Sequence, residues 1–184
     1  DLSISMPRKK NSPPPPNPAL SDAGRLDPLV ALHHVGLDIA SQLELGEVLR
    51  RIMQHATELL DADQGGAIYL YDAKTPILEA GEGIGLGATY PRNTQRVGEG
   101  LTGTAFAIGK TIVIEDYADY EHRLDDFAYL ASCSIMTVPI RWQDKLLGTV
   151  DLLADKTRHT FGINDIWLAE LFAGQAAIAI ANAQ

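Results

Sequence analysis

Few residues in this chain could carry chemistry. Cys133 is the single cysteine among 184 residues. A thiol becomes a nucleophile or a redox sensor when a neighbouring base or cation depresses its pKa. No base adjoins Cys133, which is followed by Ser134, so a partly buried structural thiol is expected. His122 lies between Glu121 and Arg123. Haem ligation needs an axial ligand in an apolar pocket, and this neighbourhood is charged; an exposed loop histidine is expected instead. His33 and His34 point about 100° apart on a helix and cannot share a metal. Asp125-Asp126 has no identifiable acid–base partner and reads as solvated or helix-capping. Gly98-Glu99-Gly100-Leu101-Thr102-Gly103 matches the spacing of a dinucleotide fingerprint. That fingerprint needs a full crossover helix and a returning parallel strand. Here the helix from Leu101 ends at Gly109 and the next strand follows at once, which suits a short helix on an antiparallel sheet. With no nucleophile elbow, zinc motif, Walker loop or kinase signature in view, catalysis within this stretch is not expected.

Composition narrows the class. The hydrophobic share of 46% and charged share of 21% are ordinary for a globular domain. The net charge is −9, and the first 25 residues carry four basic groups against two acidic ones, so the acidity lies in the body. An acidic body argues against nucleic acid and anionic membranes as partners. A lone thiol forms neither an internal disulfide nor a multi-cysteine zinc site, which makes the cytoplasm the expected compartment. No run of 18 apolar residues is evident, and no membrane span or signal peptide is expected here.

The elements follow from periodicity. Residues 1–26, with Pro13 to Pro16 and Pro18, read as a disordered proline-rich linker, and residues 27–184 as one domain. A helix is expected from Pro28 to Gln42 and a second from Leu45 to Leu60, whose Leu45, Val48, Leu49, Ile52, Met53, Ala56, Leu59 and Leu60 form one stripe. Strands follow at Gly66 to Tyr71, Ile77 to Ala80 and Thr94 to Val97, then the short helix and a strand at Thr111 to Ile114. Asp116 to Ala131 reads as a polar, aromatic loop with a helical turn. The strands Ile135 to Ile140 and Leu146 to Leu153 form a hairpin joined by five residues, Arg141 to Lys145. A last helix opens near Asn164, is apolar over much of its circumference, and is expected to continue into a signalling helix.

Strand alternation then sorts the faces. Ile68, Leu70, Val150 and Leu152 share one side; Tyr69, Tyr71, Thr149 and Asp151 share the other. If the first set packs on the helices, the second faces a recess, which Phe106, Tyr117, Phe127 and Tyr129 could close. These eight are the candidate ligand-binding residues, and apolar walls with a few polar anchors suit a small molecule. They could equally fill a second, smaller core.

Taken in order, the helix before GAIYLYD, the segment GEGLTGTAFAIGKTIVIED, then SIMTVPI, KLLGTVDLLADK, and Phe161 with Asp165 before the last helix resemble the GAF domain family. The resemblance covers about Leu29 to Ala183. It implies an α+β fold: a central antiparallel sheet of about six strands, terminal helices on one face, loops and short helices forming a pocket on the other. It also implies a non-catalytic regulatory sensor module, as in histidine kinases and related signalling proteins, often paired as a homodimer through its terminal helices. A ligand-free dimerisation module is the alternative. Cyclic-nucleotide-binding relatives carry an Asn-Lys pair, a Phe, an Asp and a Glu. Here Asp155-Lys156, Phe161 and Asp165 match only in part, and Ile166 stands where Glu is frequent. Bilin-binding relatives use a cysteine commonly followed by His, and methionine-sulfoxide-reducing relatives use several cysteines. Neither pattern is present, so no covalent bilin or haem is expected and the ligand stays unknown.

Overall fold

The computed structural model describes the backbone of residues 28–184 and the side-chain surroundings of residues 44–184; the expected linker at 1–26 and the side chains of His33 and His34 lie outside these. The chain divides into two units, Asp1–Leu37 and Asp38–Gln184. The first contributes only the opening turns of helix α1 (Pro28–Leu59) to the described residues. The second contains everything that follows.

Six strands form one antiparallel sheet: β1 (Gly65–Asp72), β2 (Ile77–Gly85), β3 (Thr94–Arg96), β4 (Ile112–Ile114), β5 (Cys133–Trp142) and β6 (Lys145–Asp155). Their spatial order is β3-β2-β1-β6-β5-β4. Helix α2 (Gly100–Ile108) and short 3-10 turns at Leu86–Thr89, Tyr117–Asp119 and Asp125–Leu130 fill the connections. Helix α3 (Ile163–Ala183) closes the chain.

The two faces of the sheet bury separate cores. On one, Leu49, Met53, Ala56 and Leu60 of α1 and Ala169, Ala173, Ala176, Ala177 and Ile180 of α3 meet Ile68, Met136, Val138, Ile140, Val150 and Leu152. On the other, Tyr69, Leu78 and Phe106 form one cluster, and Leu101, Tyr117, Phe127, Leu130, Cys133, Ile135 and Leu153 a second. Neighbouring residues of β6 therefore divide strictly, Val150 and Leu152 to the helices, Asp151 and Leu153 to the far side. Period two dictates this once one face is buried.

Several boundaries differ from the sequence expectation. The two N-terminal helices are one: α1 runs unbroken through Leu43 and Glu44, where the sequence reading placed a break, and neither residue type is a helix breaker. The stripe on α1 is also wider than the buried face, with Val48 43% and Leu59 64% exposed. Strand β2 runs on to Gly85, because a bulge opposite Ile68, between the pairs Ala67–Gly83 and Tyr69–Ala80, carries pairing through the glycines. The hairpin loop is two residues, Gln143-Asp144, since Trp142 pairs with Lys145. Gln143 adopts φ 52, the hand that two-residue hairpins prefer, and a register shift after Ile140 absorbs the odd residue. Helix α3 is also long and apolar enough to cross a membrane by length and composition, with a mean hydropathy of 1.4 over 18 residues. Its buried face is nevertheless largely alanine: Ala169, Ala173, Ala176 and Ala177 belong to the core between the helices and the sheet.

Helix α2 ends where a left-handed residue is required. Gly109 sits at φ 63, ψ 32, and the amides of Gly109 and Lys110 donate to the carbonyls of Phe106 and Ala105. This is a Schellman closure, which glycine adopts without steric penalty. Gly109→Ala is expected to lower stability by about 1 kcal/mol, read as a fall in the urea midpoint at unchanged slope.

Candidate functional site

The recess is built from cross-strand rows on the side of the sheet away from α1 and α3. Asp151 lies between Ala67 of β1 and Thr137 of β5; Thr149 lies between Tyr69 and Pro139. Side chains directly opposite each other on one face approach within about 5 Å at Cβ. The Thr137 hydroxyl accordingly donates to Asp151 Oδ1 at 2.9 Å. The Thr102 hydroxyl on α2 donates to Asp151 Oδ2 at 2.6 Å, although 49 residues separate the two in the chain.

Helix α2 reaches this position through the glycine segment before it. A Cβ on Gly103 would stand 2.2 Å from the Arg96 carbonyl oxygen, so only glycine lets the helix start this close to β3. The Gly98 amide donates to the Gly103 carbonyl at 2.8 Å, and the Glu99 carboxylate takes the Arg96 amide at 2.9 Å. The glycines that mimic a nucleotide fingerprint thus serve the packing of α2.

Asp151 is only 3% exposed. Burial pushes its carboxyl up to about 6, and the two threonine hydroxyls, which favour the ionised form, pull the other way. It lines a cavity of about 20 Å³, together with Tyr90, Gln95, Thr102, Tyr117 and Phe127. That is room for about one water. Burial also raises the phenols of Tyr69, Tyr90 and Tyr117 above the usual range. The Thr149 hydroxyl, one row from Asp151, is buried with no hydrogen-bond partner.

The structure distributes the eight candidate residues over three settings. Tyr117, Phe127 and Asp151 line the cavity. Tyr69, Tyr71 and Phe106 cluster beside it, with the Tyr71 and Phe106 rings 4.6 Å apart, and Thr149 is buried between the two groups. Tyr129 stands 43% exposed on the rim, its ring stacked 6.5 Å from Phe127. Tyr90, Gln95 and Thr102 escaped the sequence reading. Thr102 was legible in principle from its helical phase; Tyr90 sits in an irregular segment with no period to betray its direction.

Tyr90 also holds the covering loop. Its ring meets Phe127 edge-on at 5.1 Å, and Arg92, two residues on, pairs with Glu99 at 3.1 Å and with Asp126 at 3.6 Å. Asp126 is therefore an exposed partner of a guanidinium. His122 is exposed on the same loop.

Cys133 opens β5 and is fully buried, and burial pushes its thiol up. A buried, protonated thiol is a poor nucleophile. Ellman's reagent is expected to titrate no thiol in the native chain and one after unfolding in urea.

The residues that partly match a cyclic-nucleotide motif are occupied elsewhere. Asp155 caps a turn at Thr157, Lys156 Nζ pairs with Asp116 at 2.6 Å, and Asp165 accepts from the Gly162 amide at 2.7 Å, capping α3. Phe161 belongs to the helix-side core. None of the four lines the cavity.

The same architecture recurs among solved structures. A GAF domain/HD domain protein from Geobacter sulfurreducens superposes with TM-score 0.66 at 13% identity, covering 75% of this chain and 93% of that one. The GAF domain of a phosphoenolpyruvate-protein phosphotransferase from Coxiella burnetii gives 0.65 at 18%, covering 83% and 95%. A type II free methionine-R-sulfoxide reductase from Thermoplasma acidophilum gives 0.60 at 22%, covering 75% and 96%. Solved structures with this fold thus include GAF domains and an enzyme. The GAF domain family model matches residues 42–181, which takes in the last turns of α1, all six strands and nearly all of α3, and the chain belongs to the GAF domain family.

Proposed function

We propose that this domain is a non-catalytic regulatory module of a cytoplasmic signalling protein, a histidine kinase or a related receptor, and that it senses a small molecule in the recess under the Asp116–Ala131 loop. One observation carries the reading. Asp151 is a buried carboxylate with no cationic side chain among the described residues lining its cavity. An unpaired buried charge is expensive, and a ligand that completes its hydrogen bonds would return that cost as binding energy. The protonated, buried state of Cys133 supports the non-catalytic assignment over a sulfoxide-reductase activity like that of the Thermoplasma relative.

Signal output would run through the helices. Occupancy of the recess repacks the loop and α2, and β5 and β6 pass the change to α3 on their other face. A groove of about 530 Å³ lies between α1 and α3, lined by Leu45, Val48, Ile52, Ile178 and Ala179 among others. Val48 and Ile178 remain more than 40% exposed there. We assign that groove to pairing of two copies, since contiguous apolar helix faces of this kind mark association sites.

Native mass spectrometry of the purified chain, set against the same sample denatured, tests both parts. A non-covalent mass excess on a dimer is the expected result. A bare dimer would favour a ligand-free pairing module, and a mass excess that survives denaturation would point to covalent chemistry at Cys133 and overturn the proposal.

A further inference from the structure

The ligand's chemistry can be read from charge along the path to Asp151. An open groove of about 570 Å³ runs beside the outer edge of β2, lined by Glu79, Glu82, Asn93, Thr94 and Tyr90 among others. Tyr90 lines this groove and also the 20 Å³ cavity that holds Asp151. Ala67, the register partner of Asp151, is a wall of the groove as well. Tyr90 is the one residue common to the two linings. No Lys, Arg or His among the described residues lines either space. The nearby guanidinium of Arg92 is engaged by Glu99 and Asp126. Carboxylates at the rim and at the end of a path attract cations and repel anions.

We propose that the recess binds a small molecule carrying a protonated amine, its ammonium on the Asp151 carboxylate and its body in the β2 groove, admitted when the Tyr90 ring swings aside. The claim rests on the reading of the recess as a ligand site. Two threonine hydroxyls occupy one acceptor direction on each Asp151 oxygen, and a carboxylate offers about four. An ammonium brings three donors to the remainder. The rings of Tyr90, Tyr117 and Phe127 line the same cavity and suit a cation by their π faces. No group of three or more His, Cys, Asp or Glu side chains that could hold a metal ion occurs among the described residues, and the cavity of about 20 Å³ has no room for the waters that would complete the shell of a Mg²⁺ held by one carboxylate.

The test is a set of ¹H–¹⁵N NMR titrations at pH 7.5 with benzylamine, benzyl alcohol and benzoate, on the native chain and on Asp151→Asn. Benzylamine is expected to bind about tenfold or more tighter than the isosteric alcohol, as a charged hydrogen bond allows, shifting the amides of Tyr90, Thr102 and Asp151. Asp151→Asn, whose own spectrum reports its fold, should erase that preference. On the native chain the preference should also shrink at pH 5. The titratable groups facing Asp151 are the phenols of Tyr69, Tyr90 and Tyr117, which stay neutral over this range; Asp151→Asn keeps Glu79 and Glu82 of the groove, so comparing the two chains at each pH separates their contribution from that of the Asp151 carboxyl. If the alcohol or benzoate binds as well as the amine, or Asp151→Asn keeps the preference, the amine assignment falls and the recess stands as a site for another class. If none of the three moves recess amides, the recess is not a ligand site and both readings fall.

Discussion

Asp151→Asn is expected to remove a pH dependence of stability worth about 2 kcal/mol between pH 4 and pH 7. The carboxyl is held near 6 in the folded chain, above its ordinary 3.8. Each unit of displacement is about 1.4 kcal/mol. A raised carboxyl pKa means that the folded state binds the proton more tightly than the unfolded chain does. The native protein is therefore favoured while Asp151 is protonated, and stability falls as pH rises from about 4 through 6. This is opposite in sign to the effect of an ordinary salt-bridged carboxylate. Asparagine keeps the shape, accepts from one threonine and donates to the other after hydroxyl rotation, and does not titrate. Urea unfolding of both proteins at intervals from pH 4 to pH 7.5 makes the check. Other titrating groups are common to the two, so the difference between the curves isolates this site. A difference that grows in favour of the variant as pH rises is the expected outcome; parallel curves would show that the carboxyl is not displaced.

Leu152→Ala is expected to cost 2–5 kcal/mol, which for a domain of this size is a large share of total stability. Leu152 is fully buried among the α1 and α3 side chains and the neighbouring strands, and the truncation leaves a void that a close-packed interior fills poorly. The exposed Leu171 of α3 offers the control: Leu171→Ala should change the stability of the isolated chain by no more than about 0.5 kcal/mol. Equilibrium urea denaturation separates the cases. Equal losses for the two would mean that Leu152 does not anchor the helix layer to the sheet.

Much of this was legible in the chain. The alternation in GAIYLY and KLLGTVDLL assigned Ile68, Leu70, Val150 and Leu152 to one core and Tyr69, Thr149 and Asp151 to the opposite side, and the pairing register agrees at every one of these positions. Strand alternation is a local property, readable wherever the hydrophobic pattern is strong. The glycine segment before α2 was separable from a nucleotide fingerprint for the same reason: a two-turn helix followed at once by a strand cannot make a parallel crossover.

What stayed hidden depends on distance along the chain. The meeting of Thr102 with Asp151 spans 49 residues and depends on how closely α2 approaches β3, which the Gly103 contact decides. Tyr90 lines both groove and cavity because a bulged β2 and the 3-10 turn after it carry the chain there. Neither irregularity has a period, so neither announces itself. The division of the apolar stripe on α1 into a buried edge and an exposed one was likewise beyond reach, since hydrophobicity records that a residue prefers burial and not which partner supplies it. The sequence by itself determined the element types, the two faces of the sheet and the mixed apolar and polar character of the recess. Only the tertiary structure decided that Asp151 is buried in a cavity that no cationic side chain among the described residues lines, because that arrangement is a sum of long-range contacts among elements whose local signals are silent about one another.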